Sequence, residues 1–346
     1  AATPVVNVLD IPPISDADMR DPGFYVAACS PRDAHWGGAT VYVSRDGGTN
    51  YVQQATIIEK VGVGVTTTSL ASGPDGEDAA GTVTFDTSAS FDVQLENDGI
   101  FPLTTVTEAG VLGGINWLCV DAGGGNFEIL GARDITDNGG GSYTLSHLLR
   151  GLRGTFPSNR ASKASGAAVT LLTTWNGVFI PLAEADVPAA LKIKVVAPGQ
   201  LLSDVTAIDV SIEGWNSRPM PVRDFDLTGT TDRTFTLRHW SRRNLPVGSV
   251  GPFALDEAFE GYRLKIYDSA GTTLKRVKHR DARGTGSSTL TSATFPYTAA
   301  EQTADGYTPG ASETFWVEIA QLGDIGVDTD SGVEQRSSGR TWRQEV

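Results

Sequence analysis

Short segments in which apolar and polar residues alternate recur along the whole chain and predict β-strands. Leu191–Val195 and Tyr262–Tyr267 alternate most cleanly, because every second side chain is apolar. Helical spacing is confined to two short segments, Ala183–Ala190 and Tyr297–Gln302. Glycine is abundant, at 40 of 346 residues, and glycine clusters separate many of the alternating segments. The pattern therefore predicts an all-β, multi-domain protein.

The spacing of the predicted strands divides the chain into five parts. From about residue 215 the strands follow one another as in a fibronectin-III-like sandwich of about 100 residues. Upstream, the turns Gly123–Gly125 and Gly139–Gly141 separate strands that suit a small β-barrel. The predicted division is an N-terminal β module over residues 1–80, the small β-barrel over 81–175, connecting strands over 176–214, the sandwich over 215–328 and a polar tail over 329–346.

The segment Tyr143–Thr155 is the one around which the predicted barrel is organised. Alternation places one set of side chains on one face of a strand, namely Tyr143, Leu145, His147 and Leu149. The other face receives Thr144, Ser146, Leu148 and Arg150. The strand is predicted to end in a turn in which Gly151 and Gly154 supply positive φ or a close backbone approach. The motif residues are Tyr143, Leu145, Leu148, Leu149, Arg150, Gly151, Arg153, Gly154 and Thr155.

The two arginines of this turn admit two interpretations. Arg150 and Arg153 carry positive charges that suit an anionic partner. Alternatively, their guanidinium groups donate hydrogen bonds to loop carbonyls around the glycine turn. We favour the second interpretation, which makes both arginines structural.

A second candidate motif lies between two predicted strands, where Ser44, Asp46, Gly48 and Tyr51 are spaced as in the Asp-box turn of sialidase propellers. Asn50 stands where that motif usually has threonine, and one copy is present rather than one per propeller blade. The motif therefore predicts a structural turn. In that turn Asp46 accepts hydrogen bonds from loop amides and Tyr51 packs beneath.

The segment Tyr143–Thr155, followed by Gly166 and the apolar strand Val169–Leu172, resembles a signature of phage tail-tip proteins. It resembles in particular the large tail-hub, or host-specificity, protein of gene transfer agents and related siphophages. Other segments resemble the same family in the same order, namely Leu9–Ile14, Asp21–Ala28, Val41–Gly48, Glu108–Asn116, Asn126–Leu130 and Tyr297–Gln302. One departure is Lys163, which stands where many relatives have a histidine, so any role of that histidine does not transfer.

The resemblance implies a structural component of a tail tip, hub or baseplate, which positions host-contacting modules for attachment and DNA delivery. It implies other tail proteins as partners, a homotrimer in the assembled tail, and a virion location after synthesis in the host cytoplasm. Because relatives are longer, it also implies the C-terminal portion of a hub protein. The alternative function is a glycan-binding adhesin that contacts a host surface polysaccharide or receptor, and a glycan-degrading enzyme is the third.

Composition narrows the choice of partners. The net charge of −14 and a pI of about 4.7 argue against general nucleic-acid binding, which needs a basic surface. The sequence has no run of 18 apolar residues, so no membrane span is predicted. The two cysteines, Cys29 and Cys119, are predicted to be reduced thiols in the core, with a disulfide between them as the alternative.

No constellation of catalytic or metal-binding residues is recognisable in the sequence, so we predict no enzymatic activity and no cofactor. The four histidines, His35, His147, His239 and His279, lack metal-ligand spacing. Asp16, Asp18 and Asp21 are oxygen donors, but they lack the glycine and distal glutamate of a calcium loop and predict a solvated turn. Four tryptophans flank polar loops, where they suit either the core or stacking on sugars: Trp36, Trp175, Trp215 and Trp342.

Overall fold

The computed structural model describes residues 2–19, 21–32, 34–73, 83–96, 102–155, 162–173, 175–219, 225–237, 259–282, 286–287, 289–290, 292–323 and 342–345. These residues form an all-β protein, which confirms the predicted fold class. The strands are β1 (Val5–Leu9), β2 (Gly23–Cys29), β3 (Ala39–Ser44), β4 (Val52–Ile57), β5 (Val63–Thr66), β6 (Asp86–Leu95), β7 (Trp117–Gly123), β8 (Asn126–Gly139), β9 (Ser142–Leu152), β10 (Ala168–Leu171), β11 (Val178–Pro181), β12 (Ala189–Val196), β13 (Ile208–Ile212), β14 (Phe225–Thr228), β15 (Arg233–Leu237), β16 (Gly261–Tyr267), β17 (Leu274–Asp281), β18 (Thr294–Tyr297), β19 (Trp316–Gln321) and β20 (Trp342–Glu345). The helices are α1 (Glu108–Leu112) and α2 (Ala299–Ala304).

The chain folds into two compact units, one within residues 1–216 and the other mainly within residues 217–346. Seven strands of the first unit form a β-sandwich. One sheet has the order β1-β2-β11 and the other the order β13-β12-β3-β4, with antiparallel neighbours throughout. Every second residue of β12 from Ala189 to Val195 is buried, because alternate side chains of a strand point to opposite faces.

The other six strands of the first unit form a closed barrel with the order β10-β5-β6-β9-β8-β7. The chain enters this barrel after β4 and leaves it before β11, so the barrel is inserted between the fourth and fifth strands of the sandwich. The two connections between sandwich and barrel, the crossings, lie side by side, since the Leu171 amide donates to the Gly62 carbonyl at 2.7 Å. Adjacent ends are what allows one domain to carry another as an insertion.

The barrel is filled by apolar side chains from five of its six strands, β6 to β10, and from the segments between strands. Its buried core consists of Leu70, Phe91, Val93, Leu95, Leu103, Leu118, Val120, Leu130, Ala132, Tyr143, Leu145, Leu148, Val169 and Leu171. The interior of a small barrel of this kind is filled by its own side chains. Pairing between the strands closes the sheet and leaves no open edge.

The barrel and its sandwich are joined by a second apolar cluster. Tyr25 of β2 packs with Cys119 and Ile129 of the barrel, and its ring meets Trp175 edge to face at 5.4 Å. Asn7 of β1 donates through Nδ2 to the carbonyl of Val169 at 3.0 Å. Every residue of β2 is buried, since one face of the strand meets the barrel and the other lies inside the sandwich.

The second unit is another sandwich, with sheets in the order β14-β15-β18 and β17-β16-β19-β20. Three strands and four strands in this order form the fibronectin-III-like sandwich predicted from the sequence. Phe235, Tyr297 and Tyr307 surround Phe315, with ring centroids 5.7–6.1 Å apart. The order in the first unit, β1-β2-β11 with β4-β3-β12-β13, is the same, so both sandwiches share one topology.

The strand order corrects the predicted division of the first 216 residues. The predicted N-terminal module (1–80) and the predicted connecting strands (176–214) are two halves of one sandwich. Strand β5 lies before the predicted boundary at residue 80 but pairs with β6 and β10 of the barrel. The boundary itself lies outside the described residues. Strand pairing across more than a hundred residues leaves no local signal, which is why alternation alone missed it.

Two further sequence predictions are corrected. Within the predicted polar tail (329–346), Trp342–Glu345 form β20, which pairs antiparallel with β19. The predicted helix over Ala183–Ala190 is only a 3-10 turn, Glu184–Asp186, and β12 begins three residues later at Ala189. Pro188 explains the second difference, because proline has no amide hydrogen and disfavours helix at the residue before it. The predicted helix near Tyr297–Gln302 is present as α2, which begins with a capping box between Thr298 and Glu301.

Candidate functional site

Strand β9 carries the first half of the motif segment, and its regular alternation is interrupted by a β-bulge. His147 has a φ of 55°, and the pairing of β9 with β6 shifts register across it, whereas the pairing with β8 keeps one register from Tyr143 to Leu149. Beyond the bulge the alternation changes phase. Leu148 therefore joins Tyr143 and Leu145 in the barrel core, and Arg150 follows in the same phase. The prediction of a strand is confirmed, but the assignment of Leu148 and Arg150 to the face opposite Tyr143 was wrong.

Arg150 is the centre of a buried cluster of four charges, which is the candidate site. Its Nε and Nη2 donate to both carboxylate oxygens of Glu128 at 2.6 and 2.9 Å. Its Nη1 lies 3.4 Å from Asp86 Oδ2 and 3.3 Å from the carbonyl oxygen of Ala71. The Lys163 ammonium forms an ion pair with Glu128 Oε2, the oxygen that also accepts from Arg150 Nη2. Two cations and two anions thus share one site with side-chain exposures of 0–2%.

The elements of the barrel bring these charges to one end. Asp86 begins β6, Glu128 lies near the start of β8, and Arg150 lies near the end of β9. Neighbouring antiparallel strands run in opposite directions, so these three positions share one end of the barrel. Lys163 reaches the same end through an isolated bridge with Leu70.

The segment that ends at Gly73 covers the cluster. A Cβ atom on Gly73 would lie 2.6 Å from both Arg150 Nη1 and Asp86 Oδ2, so a side chain at this position would displace the ion pair. Glycine is therefore required there for the backbone to approach the charges. The cover explains how four charges are removed from water.

The cluster was only partly anticipated. Arg150 does bind a carbonyl, but its main partners are the carboxylates of Glu128 and Asp86, which are not among the predicted motif residues. One signal was available. Glu128 alternates in phase with Leu130 and Ala132, two residues of the barrel core, and a charged residue on a core face needs a buried partner. Lys163, the departure from the family pattern, is one of its two cationic partners, beside Arg150.

Asp86 gives the barrel a stability that is lost in acid. Burial by itself raises the pKa of Asp86, but hydrogen bonds from Ser88 and Ala89 and the charge of Arg150 outweigh burial and hold the pKa below its ordinary value. Such a group stabilises the fold above its unfolded pKa of about 3.9, and the contribution disappears as the pH falls through the folded pKa.

We therefore expect the wild type to be more stable than Asp86→Asn at pH 6, with a difference that narrows as the pH falls below about 4. Urea unfolding of a fragment of residues 1–216 at a series of pH values measures this difference. A gap between the two proteins that stays constant down to acidic pH would contradict the assigned role of Asp86.

The turn that follows β9 has the backbone predicted for it. Gly151, Arg153 and Gly154 have φ angles of 63°, 53° and 76°. The Thr155 hydroxyl donates to the Leu152 carbonyl at 2.7 Å and accepts from the Ile129 amide at 3.0 Å. These bonds fasten the turn to the start of β8.

Arg153 and Leu149 complete the motif. Arg153 donates to the carbonyl of Pro13 at 2.7 Å, and its guanidinium lies 5.5 Å from the centroid of the Trp117 ring. This is the loop-carbonyl role that was favoured for the arginines, although the carbonyl belongs to a segment distant in sequence. Leu149 is buried, with 1% exposure.

Gly154→Ala is expected to destabilise the first unit by about 1–2 kcal/mol, because a Cβ is strained at positive φ. The matched control is Gly113→Ala, at the end of α1, where φ is −78° and the cost of alanine is small. Urea unfolding of the two variants and the wild type measures the change in the free energy of unfolding that each alanine causes. Equal stabilities of the two variants would show that the backbone at residue 154 does not require glycine.

The second motif is a surface turn with the predicted hydrogen bonds. Asp46 Oδ1 accepts from the amides of Thr49 and Asn50 at 3.1 and 2.9 Å and from the Ser44 hydroxyl at 2.7 Å. The hydrogen bond from the Asn50 amide is the largest cause of an Asp46 pKa well below its ordinary value. The Ser44 hydroxyl also accepts from the Gly48 amide at 2.9 Å. The Tyr51 ring lies under Lys194, whose ammonium is 4.8 Å from the ring centroid.

A second group of charges lies on the outside of the barrel at the bulge. His147 Nε2 is 2.8 Å from Glu108 Oε1, and its Nδ1 is 3.9 Å from Asp134 Oδ2. Arg133 binds Asp134 through two hydrogen bonds and lies 3.6 Å from Glu108. These contacts hold α1 against the barrel, since Glu108 is the first residue of that helix.

The cysteines and acidic residues considered as chemical candidates have structural surroundings. Cys29 and Cys119 are buried, unbonded and in different apolar clusters. Burial, aided by Glu96, raises the pKa of Cys29 to about 12, and burial also raises the pKa of Cys119 well above its ordinary value. Asp18 accepts from the Ser15 hydroxyl at 2.7 Å, within the predicted turn.

The described residues contain neither a metal-ligand cluster nor a membrane-spanning helix. In the described ranges, no three His, Cys, Asp or Glu side chains converge as metal ligands do. No helix in the same part of the chain has the length and apolarity to cross a bilayer. His239 lies outside the described residues.

The four tryptophans differ in their surroundings. Trp175 packs in the cluster between barrel and sandwich, as a core residue. Trp215 is half-buried, and its backbone amide donates to Asp10 at 2.8 Å. Trp36 is half-buried and lines a cavity at one end of the first sandwich. The Trp342 side chain lies outside the described part.

Comparison with known proteins gives one family match, and it falls on the barrel. The family model described as Rcc01698-like, C-terminal, matches residues 61–170, and that family is associated with gene transfer agents and phages. No curated protein matches the chain. The crystal structure of chicken CNTN1 FN1-FN3 domains is similar at 7% sequence identity and a TM-score of 0.22, over 100% of this chain and 98% of that one. A score of this size assigns no fold, and the sandwich assignment stands on strand order.

Proposed function

We propose that this chain is a structural component of the tail tip, hub or baseplate of a phage or phage-like particle. In this role it positions host-contacting modules for attachment and DNA delivery. The observation that carries the proposal is the family match over residues 61–170, which coincides with the inserted barrel from β5 to β10. The motif segment Tyr143–Thr155, which led to the same family by resemblance, lies inside the matched range.

The construction of the first unit supports a positioning role. An apolar interface and the hydrogen bonds of Asn7 and Arg153 fix the barrel to its sandwich. The barrel is a closed sheet, and paired charges occupy one end of its interior. A small-molecule site needs an open cavity instead. A module of this kind holds its surface loops in a fixed geometry.

The test uses particles from the source organism in which the gene for this chain is deleted in frame. A structural component predicts that tails fail to assemble or lack their tip in electron micrographs, and that a plasmid-borne copy restores them. Gold-labelled antibody against the chain is expected at one end of the wild-type tail.

The alternatives give different phenotypes in the same deletion. An adhesin predicts complete tails that no longer adsorb to cells. A glycan-degrading enzyme predicts tails that adsorb but leave the host envelope intact. Complete, adsorbing and infectious particles without the chain would contradict all three functions.

The homotrimer of the assembled tail is part of the proposal, whereas the isolated chain is expected to be a monomer. Copies that each carry a net charge of −14 repel one another when no partner surface compensates. Light scattering on the purified chain at moderate salt measures its mass. A trimer whose mass does not change with concentration would show that these modules carry the trimer interface themselves.

A further inference from the structure

A cavity of about 270 Å³ opens at one end of the first sandwich. It lies between the β2–β3 loop, the β12–β13 loop and the segment before β1, which contributes Ala2 and Pro4. The two loops contribute Ser30, Ala34, His35, Trp36, Gly37, Gly38, Ala197 and Pro198. In sandwiches of this topology these two loops share one end, and the immunoglobulin variable domains use that end for recognition. The position alone makes the cavity a candidate binding site.

Trp36 provides a flat apolar wall whose orientation is fixed. Its indole Nε1 donates to the carbonyl of Ile58 at 2.8 Å, and the ring remains half-buried at the cavity. A ring held by a hydrogen bond on one edge loses little freedom when a ligand stacks on it. The Trp36 ring is therefore preorganised for a ligand.

The backbone beside this wall offers unused hydrogen-bonding groups. Ser30 and Pro31 bind the backbone of Ala34, and β3 begins at Ala39. Between these points, the backbone amides and carbonyls of residues 35–37 make no hydrogen bond with other described residues. A run of open donors and acceptors next to an aromatic face suits a ligand that is apolar on one side and hydroxylated at its edges.

The charge and size of the cavity narrow the choice of ligand further. The described residues that line it include no Asp, Glu, Lys or Arg, although the chain as a whole carries a net charge of −14. A charged ligand would find no counter-charge among these residues, so a neutral one is favoured. The volume is below the roughly 300 Å³ at which pockets for drug-sized molecules begin, which leaves room for about one ring.

From these observations we infer that the cavity binds one neutral pyranose residue of a surface polysaccharide. The apolar face of the sugar stacks on Trp36. Its hydroxyl groups exchange hydrogen bonds with the open backbone of residues 35–37 and with the His35 ring. The inference holds for the purified chain and does not depend on a place in a tail, so either proposal can fail without the other.

The test is binding of the whole chain to an array of neutral polysaccharides that includes dextran, mannan and galactan. Saturation-transfer NMR with the corresponding methyl pyranosides then identifies the sugar. Gly37→Leu is designed to fill the cavity without disturbing the fold. A Cβ at Gly37 lies 3.5 Å from Pro198 Cγ, an ordinary contact, and the backbone there is not in the left-handed region.

We expect the wild type to bind at least one of these polysaccharides and Gly37→Leu and Trp36→Ala to bind about tenfold more weakly or worse. Leu201→Ala is the matched control, because Leu201 is 67% exposed on the same β12–β13 loop but does not line the cavity. It should bind like the wild type. A wild type that binds no member of the array, or a Gly37→Leu chain that binds as well as the wild type, overturns the inference. Loss of binding to another tail protein in Gly37→Leu, without saccharide binding by the wild type, identifies an apolar side chain as the occupant instead.

Discussion

Glu128→Gln is expected to lower the free energy of unfolding of the barrel by about 3–5 kcal/mol. Glu128 is completely buried and is shared by Arg150 and Lys163. The substitution keeps the shape of the side chain but leaves two buried cations with one carboxylate, that of Asp86. Removing one partner of a buried ion pair is costly, because the other charges stay out of water without compensation.

A second variant separates charge balance from shape. Glu128→Gln combined with Lys163→Met removes one charge of each sign and leaves the pair of Arg150 and Asp86. We expect the double variant to regain a large part of the lost stability, so the two substitutions should be strongly non-additive. Asp137→Asn on the exposed part of β8 is the control and should change the stability little. The additivity test also needs Lys163→Met alone, so urea unfolding of residues 1–216 is measured for five proteins: the wild type, the two single variants, the double variant and the control. Additive losses would show that the charges act independently.

A fragment of residues 1–80 is expected not to fold, whereas a fragment of residues 1–216 is expected to unfold cooperatively. The short fragment contains β1 to β4 but lacks β12, which lies between β3 and β13, and β11, which pairs with β2. Without them neither sheet of the sandwich is complete. The residues of β2 that face the barrel, including Tyr25, would also be exposed.

Circular dichroism and thermal unfolding of the two fragments test this expectation. A cooperative transition in the fragment of residues 1–80 would mean that the first four strands form a domain by themselves. It would also favour the division predicted from the sequence over the strand order described above. Failure of the longer fragment to unfold cooperatively would show that the first unit needs residues beyond 216.

Alternation predicted the strands well where one face of a strand meets solvent and the other a core. Strand β12 is the clearest case, because each of its lysines lies between two buried apolar residues. In the barrel, alternation predicts strands over residues 116–120, 127–132, 141–150 and 167–173. Strands β7, β9 and β10 begin and end within three residues of these positions, and β8 continues seven residues farther than predicted. The prediction failed where geometry depends on more than two-residue periodicity. A single residue at positive φ, His147, reverses the faces for the rest of β9, and nothing in the alternation marks such a residue.

The candidate site shows the same limit. Arg150 was selected because it stands beside glycines in a motif, but its environment depends on residues 22 and 64 positions away in the chain. A sequence can show that Glu128 lies in phase with core residues. It cannot show that β6, β8 and β9 place their charged residues at one end of a barrel, because that follows from how the barrel closes.

The side-by-side crossings between sandwich and barrel determine how tension acts on this unit. If β1 and β13 are pulled apart, the load passes through the hydrogen bonds of the two sheets. The barrel is attached at two adjacent points, where Leu171 meets Gly62, so almost no separation develops across its own ends. The barrel therefore bears little of the applied force. A stretched chain would keep the barrel folded until the surrounding sandwich had ruptured.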